Sequence, residues 1–248
     1  MLPTLLVTGG SRGIGAATAV LAAARGFDVA INYTRDQAAA EATAAQVRSQ
    51  GRRALVVQAD VGDEAQVLAM FEAIDRELGP LTALVNNAGV VDVAARIDAG
   101  TVDRWQRMFN VNVIGSMLCA REAVQRMSTR HGGQGGGIVN LSSAAARIGA
   151  GGQYVDYAAA KGAIDVFTLG LAREVATEGI RVNAIRPGII DTEIHASGGE
   201  PERAAKMAPL VPMQRAGTAQ ECAAAILWLL SDEASYTTGS VLDVTGGR

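Results

Sequence analysis

Seven short apolar runs punctuate the chain: Leu5-Leu-Val7, Val29-Ala-Ile31, Ala54-Leu-Val-Val57, Ala83-Leu-Val85, Gly137-Ile-Val-Asn-Leu141, Ile180-Arg-Val-Asn-Ala184 and Val241-Leu-Asp-Val244. They are rich in β-branched residues and do not alternate with polar ones. Strands buried on both faces have this character, as in a parallel sheet with helices above and below. The segments between them carry a helical period. Val67, Met70, Phe71, Ile74 and Leu78 recur at three- and four-residue steps, and Gly79-Pro80 ends that helix. Residues 103–130 read as one long helix and residues 153–178 as another. The glycine-rich stretch 132–137 is a turn rather than a linker, because a strand resumes at once. Strand and helix alternate throughout, which predicts an α/β fold: one domain over 1–248, a doubly wound parallel sheet of seven strands with helices on both faces. The pattern is interrupted only at about 191–214, where Gly198-Gly199 and prolines intervene. That segment is expected to be a mobile lid.

Composition narrows the function classes. Of 248 residues, 49% are hydrophobic and 19% charged, enough apolar material for a large core and too much for a disordered chain. Lys and Arg number 22 against 25 Asp and Glu, a net charge of −3. No basic field for nucleic acid or an anionic membrane results. Aromatics at 4% make a base-stacking platform unattractive. Cys119 and Cys222 sit far apart and in no metal-binding spacing, so they read as thiols on apolar helix faces, with no disulfide framework. The N-terminus, Met1 to Thr8, lacks a basic region and reads as a strand rather than a signal peptide. No apolar run reaches the roughly 18 residues of a membrane span. A cytoplasmic protein is expected. His131 and His195 are isolated, so no metal site is expected.

Chemistry begins directly after the first strand, at Thr8-Gly-Gly-Ser-Arg-Gly-Ile-Gly15. Glycines at 9, 13 and 15 permit a tight turn and let backbone N–H groups approach a pyrophosphate at the start of a helix. At the end of the second strand, Ile31-Asn-Tyr-Thr-Arg35, no carboxylate is present to accept from a ribose 2′-hydroxyl until Asp36. Arg12 and Arg35 instead suit a 2′-phosphate, which favours NADP(H) over NAD(H).

A second constellation lies in the helix at 153–178. Tyr157 and Lys161 are four residues apart, on one helix face. A neighbouring ammonium favours a phenolate, so Lys161 is expected to lower the pKa of Tyr157 and make it an acid/base near neutral pH. Tyr154 has Ala158 at the same spacing and lacks that partner. Asn140-Leu-Ser-Ser143 ends the fifth strand and Asn86-Asn-Ala-Gly89 the fourth, at the rim where α/β sheets bind ligands. A serine there can hydrogen-bond the substrate oxygen whose proton the tyrosine handles.

Together the glycine loop, Asp60-Val61, Asn86-Asn-Ala-Gly89, Asn112, Ser143, Tyr157 with Lys161, Pro187-Gly188 with Thr192, and Thr238-Gly239 occur in one order along nearly the whole chain. This resembles the short-chain dehydrogenase/reductase family, on a Rossmann fold. Among its branches, the 3-oxoacyl-carrier-protein reductases and glucose dehydrogenases carry similar motifs. The resemblance implies Tyr157 as acid/base, Lys161 lowering its pKa and holding the nicotinamide ribose, and Ser143 orienting the substrate oxygen. It implies that Asn112 holds a water linking Lys161 to solvent. The implied cofactor contacts are Gly9, Ser11, Arg12, Gly13, Ile14 and Gly15 in the loop, then Tyr33 and Arg35. Asp60 against the adenine, Val61, and Asn87, Ala88 and Gly89 follow. Tyr157, Lys161, Pro187, Gly188, Ile190 and Thr192 complete the set at the nicotinamide. The interval from Ser143 to Tyr157 is one residue longer than in many relatives. Ser142 and Ser143 are therefore both candidates, with Ser143 favoured by alignment of the serine pair.

The expected activity is hydride transfer between nicotinamide C4 and a carbonyl or secondary alcohol of a small molecule, in a homotetramer. Specificity is expected in residues 90–98, 144–155 and the lid, with Arg96 and Arg147 as polar contacts. A nucleotide-sugar epimerase or dehydratase would need a further substrate domain. A non-enzymatic NAD(P)-binding regulator is the alternative, and it would not need Ser143, Tyr157 and Lys161 together.

Overall fold

The computed structural model describes residues 3–248; Met1 and Leu2, at the start of the N-terminal segment Met1 to Thr8 read as a strand, lie outside the described residues. Seven strands form one parallel sheet in the order β3-β2-β1-β4-β5-β6-β7. They are β1 (Thr4–Val7), β2 (Asp28–Tyr33), β3 (Ala54–Gln58), β4 (Ala83–Asn86), β5 (Gly136–Leu141), β6 (Ile180–Pro187) and β7 (Val241–Val244). Each predicted run is a strand, and most extend beyond the apolar stretch. Backbone pairing carries β2 to Tyr33 opposite Gln58, and β6 to Pro187 opposite Val244.

The two sheet faces are covered by different helices. Alternate strand residues Leu5, Val7, Val29, Ile31, Val85 and Val139 pack with α1 (Gly13–Ala24), α2 (Gln37–Ser49) and α10 (Ala219–Leu230). Their neighbours Leu6, Ala30, Leu84, Ile138 and Val182 face the other way. There they meet α3 (Glu64–Glu77), α5 (Gly115–Met127) and α7 (Val155–Val175). A period of two within predominantly apolar strands thus serves two cores. Val67, Met70, Phe71 and Ile74 are the buried face of α3, as their spacing predicted. Cys119 and Cys222 are free and buried, one in each core, and burial pushes both thiols up to about 12.

The expected single helix over 103–130 is instead α4 (Val102–Phe109), a π-helical turn (Asn110–Ile114) and α5. The inserted turn shifts the register in the middle of an otherwise helical run, and π turns gather at functional sites. Beyond Asp191 the chain folds into two short helices, α8 (Ile194–Ser197) and α9 (Arg203–Met207). Strand order reverses between β1 and β4. The loops that leave these two strands therefore diverge and open a crevice at their carboxyl ends.

Candidate active site

The loop after β1 enters α1 with no side-chain cap: Arg12 occupies the cap position without bonding the first turn, and no acidic residue follows. The helix N-terminus keeps its N–H groups and dipole for an anion. The glycines are required by contact. A Cβ at Gly15 would lie 2.4 Å from the Gly9 carbonyl and 2.5 Å from Asn87 Nδ2. Gly9 and Gly13 have φ of +61° and +55°. Asn87 ties the β4 loop to this turn, its Nδ2 donating to the carbonyls of Thr8 at 2.8 Å and Gly9 at 2.9 Å. The Thr8 hydroxyl accepts from the N–H groups of Asn87 and Ala88.

Arg12 and Arg35 are both exposed, on the loops after the adjacent strands β1 and β2. Neither is engaged in an ion pair among the described residues. Asp36 is committed to capping α2, accepting from Ala39 N at 2.9 Å. The rim beside strand 2 therefore presents free guanidinium groups and an occupied carboxylate. Tyr33 departs from its expected role in one respect: its side chain is buried in the core under α1 and α2. Val61 likewise packs in the second core. Asp60 accepts from Gly62 N at 2.9 Å and lines a separate depression with Asn110.

A cavity of about 440 Å³ opens beside the phosphate loop. Its walls include Ile14, Asn87, Gly89, Ser143, Tyr157, Lys161, Pro187, Gly188, Ile190 and Thr192. β5 ends here, and its last residues hold Lys161 on α7. Lys161 Nζ donates to the Leu141 carbonyl at 2.6 Å, and Ser142 Oγ donates to the Lys161 carbonyl at 3.1 Å. Ser142 is thus spent on anchoring α7. Ser143 instead accepts from Ala145 N at 3.1 Å and is near enough to the Tyr157 phenol to favour its ionised form.

The electrostatics differ from expectation. Burial pushes the Tyr157 phenol above its ordinary value, and the Ser143 hydrogen bond only partly opposes this. The Lys161 ammonium lies 5.7 Å from the Tyr157 ring centroid. Burial also brings Lys161 itself down to about 8, with Asp165 one turn further on working in the opposite direction. The walls that strip water from the phenolate strip it from the ammonium as well.

Asn112 sits in the π turn, fully buried. Its Oδ1 accepts from Val90 N at 2.8 Å and its Nδ2 donates to the Val90 carbonyl at 2.9 Å. A Cβ on Gly89 would meet Asn112 Oδ1 at 2.8 Å and Lys161 Nζ at 3.6 Å. The three groups therefore share one corner of the crevice. Thr192 closes over the phosphate loop, 3.4 Å from where a Gly13 Cβ would stand.

Residues 144–155 line the cavity through Ala144, Ala145, Ile148, Ala150, Gly151, Gln153 and Tyr154, and residues 90–98 through Val91. Arg96 and Arg147 are not the polar contacts expected. They are held by Asp98 and Asp243. The arginines on the wall are Arg203 and Arg248. Arg203 latches the 191–214 segment: it pairs with Glu200 at 3.2 Å, donates to Gln153 Oε1 at 2.8 Å and lies 5.2 Å from the Tyr154 ring centroid. Tyr154 OH reaches Glu200 Oε1 at 3.4 Å. Single polar residues 50 positions apart leave no periodic signal, so these were not found from sequence. Among the described residues no cluster of three or more His, Cys, Asp or Glu is placed to hold a metal. His131 is exposed, and the side chain of His195 falls outside the described part.

Comparison with known proteins bears on this crevice. Residues 9–248 match the family described as enoyl-(acyl carrier protein) reductase. An uncharacterized oxidoreductase, YgfF, of Escherichia coli K12 is 55% identical over 98% of each chain. The 3beta-hydroxysteroid dehydrogenase 1 of Eggerthella lenta is 40% identical over 98% of this chain and 92% of its own. The crystal structure of a short chain dehydrogenase from Burkholderia cenocepacia J2315 in complex with NADP superposes with a TM-score of 0.89. It is 35% identical, covering 99% of this chain and 97% of that one.

Proposed function

The chain belongs to the short-chain dehydrogenase/reductase family of oxidoreductases, and from that premise we propose that it is an NADP(H)-dependent enzyme interconverting a carbonyl and a secondary alcohol, with Tyr157 as the acid/base. The observation that carries this reading is that Ser143, Tyr157 and Lys161 line one cavity that runs to Ile14 in the phosphate loop.

The residues fit a dinucleotide. The side-chain-free turn at Gly9, Gly13 and Gly15 and the uncapped start of α1 suit a pyrophosphate. The unpaired Arg12 and Arg35 suit a 2′-phosphate. Pro187, Gly188, Ile190 and Thr192 would line the nicotinamide and Lys161 its ribose. The bound cofactor supplies the hydride or takes it up. In reduction, Ser143 donates a hydrogen bond to the substrate oxygen and holds it against the Tyr157 hydroxyl. Tyr157 gives its proton to that oxygen as negative charge develops. A phenol kept protonated by burial is in the right form to donate. Lys161, held by Leu141, places a positive charge beneath the ring and favours the phenolate that results. Asn112, Gly89 and Lys161 meet in one corner, which suits a water relay that returns the proton.

The 191–214 segment acts as a lid latched by Arg203, and the whole chain works as one domain. We propose a cytoplasmic homotetramer; the exposed apolar residues Met117 on α5 and Val166 and Leu169 on α7 support the association. Purified protein incubated with NADPH and a panel of ketones, quinones, sugars and acyl thioesters tests the reading by loss of nicotinamide absorbance. Turnover with at least one carbonyl class is expected. Tight NADPH binding with no turnover across the panel would instead identify a dinucleotide-binding regulator.

A further inference from the structure

The wall of the cavity includes the apolar residues Ile148, Ile189 and Ile194. Its charged side chains are all cationic: Lys161, Arg203 and Arg248, with no Asp or Glu among the lining residues. Two of the three are already committed. Lys161 is given to the Leu141 carbonyl and Arg203 to Glu200 and Gln153. Arg248 is not. Its Nη1 is buried, and among the described residues it meets no hydrogen-bond acceptor.

The position of Arg248 is built rather than frayed. The chain leaves β7 through Gly246 and Gly247, both in the left-handed region at φ of +65° and +94°. Met213 N donates to the Gly246 carbonyl at 3.1 Å. A Cβ on Gly246 would stand 2.8 Å from Val211 Cγ1. Two successive turns that other residues rarely adopt, packed this closely, direct the following side chain onto the cleft. An enclosed N–H donor without an acceptor carries a desolvation cost, and such groups in native proteins call for an explanation. A guanidinium offers a planar fork that matches a carboxylate through two parallel hydrogen bonds.

We propose that the cleft contains an anion subsite in which Arg248 receives a carboxylate of the substrate, so that the compounds turned over are oxo acids and their hydroxy-acid counterparts. This rests on the oxidoreductase reading above and specifies its substrate class. The subsite binds the carboxylate while the carbonyl lies at Ser143 and Tyr157, and no covalent step is added.

The test compares reduction of short aliphatic oxo acids with that of their carboxamides, using the full chain and NADPH. The oxo acid is expected to exceed its carboxamide in kcat/KM by about tenfold or more, mainly through KM, as for a charge-assisted hydrogen bond. Arg248→Gln should bring the ratio toward one, and Arg248→Lys, which keeps the charge, should hold it between. A carboxamide reduced as well as the acid overturns the subsite. So does a ratio unmoved by Arg248→Gln, or an effect of that change on KM for NADPH instead of for the acid. If neutral ketones are reduced and oxo acids are not, the subsite fails while the oxidoreductase reading stands. If no carbonyl compound is reduced, that reading fails. Calorimetric binding of the oxo acid to NADPH-loaded protein then decides: binding lost in Arg248→Gln upholds the subsite, and absent or unaffected binding overturns it.

Discussion

Lys161 on α7 donates to the carbonyl of Leu141, the last residue of β5, at 2.6 Å. One hydrogen bond thereby fixes the helix that carries Tyr157 to the strand end that leads into Ser143. It also leaves the ammonium buried with a carbonyl rather than a carboxylate as its nearest partner.

That burial has a pH consequence. Lys161 falls from 10.5 to about 8. Its cation is needed for Tyr157 to release a proton, so kcat/KM for reduction should decline as pH rises through about 8. Asp165→Asn removes the carboxylate that supports the ammonium and should move the decline to lower pH. A pH–rate profile of both proteins checks the direction.

The same shift enters stability with a definite sign. Between about 8 and 10.5 the unfolded chain binds the Lys161 proton and the folded chain does not. Unfolding free energy therefore rises with pH across that window. At neutral pH the residue destabilises the fold, by an amount on the order of 3 kcal/mol for such a displacement. Lys161→Met keeps the volume and removes the charge. It should abolish turnover while raising stability by about 1–3 kcal/mol in chemical denaturation at neutral pH.

Arg12 and Arg35 are exposed and free of ion pairs, so removing either should leave folding intact. Arg12→Ala and Arg35→Ala should each raise KM for NADPH roughly fivefold to tenfold, about 1 kcal/mol, with little change for NADH. The effect should shrink with added salt. Steady-state kinetics with both cofactors at two ionic strengths measure it.

The pair Arg104–Asp156 behaves differently because it is buried. Arg104 Nε meets Asp156 Oδ2 at 2.5 Å, and the same carboxylate accepts from Tyr157 N at 2.9 Å. Arg104→Ala strands a buried charge in the first turn of α7. A loss of about 3 kcal/mol or more is expected in denaturant titration.

Much of this arrangement was legible in the sequence. The strands were found because burial on both faces demands unbroken apolar runs, and the phosphate loop because only glycine satisfies the close approach at Gly15. Ser143, Tyr157 and Lys161 stood out by spacing along one strand end and one helix face. The π turn at Asn110–Ile114 was hidden, since a one-residue slip leaves apolar periodicity nearly intact. Arg203 and Arg248 were missed, and Arg96 and Arg147 chosen instead, because sequence does not reveal which arginines find carboxylates. The pKa of Tyr157 was read from its neighbour alone. Desolvation by distant elements of the cleft, which raises it, has no local signature.

The lid latch offers a further check. Arg203 joins Glu200, Gln153 and Tyr154 across the outer cleft. Arg203→Ala should speed hydrogen exchange in Ile194–Ser197 and Arg203–Met207 and raise KM for the carbonyl substrate by several-fold. Stability should fall by about 1 kcal/mol, because the Arg203 side chain is only 15% exposed while its partner Glu200 is 37% exposed.

Turnover by Tyr157→Phe, compared with the unaltered protein at saturating NADPH, bears most directly on the role given to the phenol. The change deletes one oxygen and keeps the ring in place. A drop in kcat of about 100- to 10,000-fold is expected, with NADPH still bound as followed by its fluorescence. Reduction at a rate within a few-fold of the unaltered protein would contradict it.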